Sequence, residues 1–101
     1  GRHNECKALV LITLNTSIAA SRQQGWLSCQ QLSYLTGVSN RSLLSLVNKW
    51  VQWGLVVRDT WYVGNRKTYV YKMGDEGQAW LNRHWNHMPL EKYMPKLREL
   101  Q

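Results

Sequence analysis

The chain has 101 residues, which is room for one domain with one modest core and not for two. Thirteen Lys and Arg against six Asp and Glu give a net charge of +7, so a polyanionic partner is expected, either nucleic acid or an acidic surface. Cys6 and Cys29, the only cysteines, make neither a disulfide framework nor a zinc quartet, and the apolar run at residues 8–14 is far too short to span a bilayer. With no signal-peptide pattern either, a reduced, cytoplasmic or nucleoid-associated setting away from the membrane is the expectation.

In chain order, Asn4-Glu5 opens a first helix running to about Ser21. Its apolar residues, among them Leu9, Val10, Ile12 and Leu14, sweep most of the circumference. An ordinary surface helix carries a narrower stripe, so this one is expected to be covered on two sides. After Gly25, Trp26-Leu27 reads as one short strand. Ser28, with Gln31 three residues on, forms a capping-box pair that opens a second helix. Cys29, Leu32 and Leu35 are its inner face, and Gly37 ends it. Val38 bridges a tight turn. Ser39 caps a third helix over about residues 40–53, stopped by Gly54.

Leu55-Val56-Val57, continuing through Trp61-Tyr62-Val63, and Thr68-Tyr69-Val70-Tyr71 are two strands around a turn at Gly64-Asn65-Arg66-Lys67. Asp75 caps a fourth helix that runs to about His87 and is ended by Pro89. The tail carries Leu90, Tyr93, Met94, Leu97 and Leu100 at helical spacing, interrupted by Pro95. The expected class is α+β, mostly helical: a three-helix core, a β-hairpin and an extra C-terminal helix. The domain covers residues 1–88, and residues 89–101 form a docking or dimerisation tail.

The third helix divides cleanly. At about 100° per residue from Ser39, residues Leu43, Leu44, Leu46, Val47, Trp50, Val51 and Trp53 occupy an arc from about 320° to about 140°. The opposite side holds Arg41, Ser42, Ser45, Asn48, Lys49 and Gln52, all hydrogen-bonding residues with no carboxylate among them. Solvated helix faces usually mix Glu with Lys, since such pairs stabilise the helix. A face in the major groove needs donors and acceptors for base edges and no acid against phosphate. From Ser39 to Gly74 six bases face Asp59 alone. The sequence therefore points to double-stranded DNA, read by Ser39, Asn40, Arg41, Ser42, Ser45, Asn48, Lys49 and Gln52. The hairpin tip adds Asn65, Arg66 and Lys67 as contacts to the backbone or minor groove.

The segment from Thr36-Gly37-Val38-Ser39-Asn40-Arg41-Ser42 through Trp53-Gly54-Leu55-Val56-Val57-Arg58 resembles the winged helix-turn-helix transcription regulators. Lys72-Met73-Gly74-Asp75-Glu76-Gly77 is similar to the lead-in to the helix after the wing in MarR-like and PadR-like regulators. Met73 stands where those families usually have Thr. The resemblance covers residues 25–85. It implies that the start and outer face of the third helix read bases while the wing touches the backbone, and that the chain regulates transcription.

Other constellations are weaker. His84 and His87 are spaced like a metal pair, but His84 falls in the stripe of Trp80, Leu81, Trp85 and Met88, where a half-buried, hydrogen-bonded histidine is expected. The carboxylates are scattered, and no nucleophile elbow or phosphate loop is present, so neither an enzyme nor a cofactor is expected. Two other classes share the pattern: a winged-helix protein–protein adaptor, and a replication, plasmid or phage DNA-binding domain. The all-round apolar first helix and the apolar tail make a homodimer a further expectation.

Overall fold

The computed structural model describes residues 2–20 and 25–84, with side chains at 6–16 and 25–84. The expected helix end at Ser21, residues 85–88 with His87, and the whole tail lie outside the described residues. The elements run α1 (Arg2–Ala20), β1 (Leu27–Ser28), α2 (Cys29–Thr36), α3 (Asn40–Gln52), β2 (Val56–Val63), β3 (Arg66–Met73) and α4 (Asp75–His84). The three strands form one antiparallel sheet in the order β1-β3-β2. Helices α1–α3, the β2–β3 hairpin and α4 make the winged helix-turn-helix arrangement.

Helix α1 is already helical at Arg2, ahead of the Asn4 start expected from sequence. It is the central strut: every residue from Ala8 to Leu14 is buried, and α2, α4 and β3 pack on it. Its lone polar residue in that run, Thr13, donates its hydroxyl to the Leu9 carbonyl at 2.8 Å, so no buried polar group is orphaned there. Over residues 8–14 the apolar circumference that set α1 apart in the sequence is thus covered within one chain.

Local side-chain chemistry sets the next two helices. Ser28 Oγ accepts from the Gln31 amide at 3.2 Å while Gln31 Oε1 accepts from the Ser28 amide at 2.9 Å, completing the capping box. Ser28 also pairs with Val70 of β3, so one residue closes a strand and opens a helix. The strand is Leu27–Ser28, one residue later than Trp26-Leu27. The α2–α3 turn is tied by three side-chain bonds. Thr36 Oγ1 donates to the Leu32 carbonyl and accepts from the Val38 amide, and Ser33 Oγ donates to the Val38 carbonyl. Ser39 then caps α3, accepting from the Ser42 amide at 3.2 Å.

Leu43, Val47 and Trp50 carry α3 into the core, with Leu46 and Val51 half-buried. Leu44 and Trp53, which the helical wheel assigned to the apolar side, are 47% and 57% exposed. They sit at the two limits of that arc, where a helix lying on a small core runs out of cover.

The hairpin departs from expectation at its tip. Val63 pairs with Arg66, so the turn is Gly64-Asn65 alone, with Gly64 at φ 64°, and Arg66 and Lys67 belong to β3. A two-residue turn matches the twist of antiparallel strands and lets the ladder close right up to it. At the other end, the Gly74 amide donates to the Leu55 carbonyl and the Gly74 carbonyl accepts from the Gln78 amide. Asp75 is therefore the first helical residue and not the cap. With Glu76 it places negative charge on the first turn of α4, where the helix dipole favours it. A Cβ at Gly77 would overlap the Leu55 carbonyl oxygen, and one at Gly74 would crowd Gly54, so α4 starts directly on the α3–β2 backbone.

Candidate nucleic-acid interface

Every residue assigned to the reading face of α3 is exposed: Ser39, Asn40, Arg41, Ser42, Ser45, Asn48, Lys49 and Gln52. Ser39 and Ser42 hydroxyls bond each other at 2.9 Å beside the cap. The exposed face carries two cations, Arg41 and Lys49, and no acid. Asn65, Arg66 and Lys67 are exposed at the far end of the hairpin.

The register sorts the hairpin side chains. Residues directly opposite each other share a face, and faces alternate along a strand. Arg58 pairs with Tyr71, Thr60 with Tyr69 and Tyr62 with Lys67, so these six lie on one side, the side that Tyr71 carries into the core. Asp59, Trp61 and Val63 lie on the other with Val70, Thr68 and Arg66. On that outer side Trp26 and Trp61 meet at 6.3 Å, and Lys72 lies over Trp26 at 5.8 Å. The two cations at the tip thus face opposite ways.

On the inner side Tyr69 is flanked by both Arg58, 4.8 Å from its ring centroid, and Lys67, at 5.0 Å. The Lys67 ammonium, by hydrogen bond and by charge, holds the Tyr69 phenol below its ordinary range, and Arg58 acts in the same direction. A groove of about 180 Å³ joins this cluster to α3, lined by Ser28, Cys29 and Gln30 at the α2 start, Asn40 and Leu44 of α3, and Thr68, Tyr69 and Tyr71 of β3. The sequence reading did not name Arg58 and Tyr69 of this cluster. Their signal was present: once the turn is read as Gly64-Asn65 alone, counting outward from it puts Arg58, Lys67 and Tyr69 on one face.

The remaining candidates take structural roles. Burial pushes the thiols of Cys6 and Cys29 up, away from the reactive thiolate, with the Tyr71 hydroxyl bonded to Cys29 as a smaller opposing effect. His84 is half-buried, its Nδ1 2.9 Å from the Trp80 carbonyl and its ring stacked on Trp80 at 4.4 Å. Among the described residues no group of three or more His, Cys, Asp or Glu could hold a metal ion. No helix among them is long and apolar enough to cross a membrane.

No family model matches the sequence, and no curated protein matches it. Among solved structures the chain is similar to AbsC, a MarR family transcriptional regulator from Streptomyces coelicolor, with a TM-score of 0.61 and 14% identity. The likeness covers 93% of this chain and 56% of that one, so the chain spans a little over half the length of that regulator. At that identity the likeness is one of fold, and the fold shared is the winged helix-turn-helix, reached here independently from caps, register and packing.

Proposed function

We propose that this protein binds double-stranded DNA sequence-specifically, with α3 in the major groove and the wing on the backbone or minor groove, and that it acts as a transcription regulator. One observation carries the reading: the exposed face of α3 is a continuous row of donors and acceptors with two cations and no carboxylate. Such a face suits base edges between phosphates. The lone acid of the hairpin, Asp59, lies on the sheet face away from Arg58, Lys67 and Tyr69, where its carboxylate accepts from the Thr60 amide and the Trp61 indole. The fold shared with a transcriptional regulator supports the regulatory role.

Selection of bound duplexes from a random library, followed by titration at several salt concentrations, tests this. The affinity is expected to fall linearly on a log–log scale, with a slope of about −0.9 for each phosphate neutralised. An affinity for duplex DNA that ignores salt, or a selection that enriches no sequence, rejects the reading.

A further inference from the structure

Arg58 bonds the hydroxyl of the buried Tyr71, and together with Lys67 it also converges on the exposed Tyr69 ring. Tyr69 is 42% exposed, and it holds a cation at 4.8 Å and another at 5.0 Å from the same ring. Gathering two like charges at one exposed spot opposes folding. The hairpin's carboxylate does not relieve them. Asp59 pairs with Val70 on the opposite face of the sheet and is engaged by Thr60 and Trp61. The three side chains present a guanidinium, an ammonium and a phenol O–H, all donors. Tyr69 also lines the groove that ends on Asn40 and Leu44 of α3. An anion with several oxygens and one negative charge, lying between the hairpin and the start of α3, answers that donor set.

We propose that Arg58, Lys67 and Tyr69 form a seat for one phosphodiester of the bound duplex, at the junction of recognition helix and wing. This rests on the DNA-binding reading above and goes beyond it, because the seat adds Arg58 and Tyr69, on the strands of the wing, to Lys67 near its tip. Tyr69 donates its hydroxyl to one phosphate oxygen, and Lys67 and Arg58 supply the charge from either side of the ring. A contact of this kind sets the register of α3 along the groove and carries no base information itself.

The test is a scan of the selected duplex with single neutral methylphosphonates, read against wild type, Arg58→Gln, Tyr69→Phe and Arg41→Ala. In wild type one backbone position is expected to lose about tenfold in affinity on neutralisation, the scale of a hydrogen bond to a charged group. In Arg58→Gln and Tyr69→Phe that same position should lose clearly less than in wild type, since one of its three partners is already gone, while Arg41→Ala should keep the full loss there. All the exchanged side chains are exposed or on the rim, and an unchanged urea midpoint confirms the fold. If every position loses as much in Arg58→Gln and Tyr69→Phe as in wild type, the seat is wrong and DNA binding stands. If wild type shows no salt-dependent affinity for duplex, both fall.

Discussion

Arg66 and Lys67 are neighbours in the chain and lie on opposite faces of the hairpin, so they do different things. Lys67 stands on Tyr69 and holds its phenol below the ordinary range. Lys67→Gln should move the Tyr69 titration back up, followed by the ring-carbon NMR shift in alkali, whereas Arg66→Gln should leave it in place. Because the folded-state value is depressed, any contribution to stability appears only as pH rises into the phenol's alkaline range and is absent at neutral pH. Toward DNA, Arg66→Ala and Lys67→Ala are expected to weaken cognate and random duplexes alike. Arg41→Ala should cost about 1–3 kcal/mol on cognate DNA alone if it reads a guanine. Equal losses for Arg41→Ala on both duplexes, by fluorescence polarisation, would refute that division. Arg41 was legible because helical periodicity places it unaided. Arg58 and Tyr69 were not, since their meeting depends on a cross-strand register set by a turn that the sequence reading took as two residues longer.

At the scale of elements, α3 is held in place from both ends by local devices. Ser39 and the Thr36–Ser33–Val38 bonds fix its start relative to α2, and the chain leaves it through Gly54 with the Leu55 amide bonded to the Trp50 carbonyl. Helix α4 then docks on that exit. At Gly77 a side chain would meet the Leu55 carbonyl, which is backbone and cannot swing away. Gly77→Ala is expected to destabilise by about 1–3 kcal/mol, the cost of overpacking a filled site, measured by urea denaturation. A midpoint within error of wild type would mean that α4 can lift from the α3–β2 junction. The glycine was readable as part of a family-like pattern, but its reason lies in two backbones that approach from distant parts of the chain.

For the molecule as a whole, α1 settles how the domain holds together. Residues 8–14 are buried on every side within a single chain, so this stretch offers no apolar face to a partner. The homodimer expected from sequence then rests on the apolar residues of the tail, Tyr93, Met94, Leu97 and Leu100. We propose that a dimer, joined through that tail, sets two α3 helices about one DNA turn, roughly 34 Å, apart. Light scattering at micromolar concentration should return twice the chain mass, and Leu97→Ala with Leu100→Ala should halve it. A monomer mass for the unaltered protein would rule the dimer out.

By itself the sequence determined whatever depends on residues a turn apart. The Ser28–Gln31 box, the Ser39 cap, the Gly37 stop and the polar face of α3 all follow from bonds or periodicities within four positions. Tertiary structure alone decided where Leu44 and Trp53 emerge at the limits of the α3 arc, and that residues 8–14 of α1 are enclosed by their own domain. It also decided that Arg58 joins Lys67 at the Tyr69 ring, a convergence in which only Lys67 was named from sequence. The physical reason is common to all three. Burial and cross-strand neighbours are set by which surfaces meet, and a linear pattern fixes a residue's own face without fixing what lies opposite it.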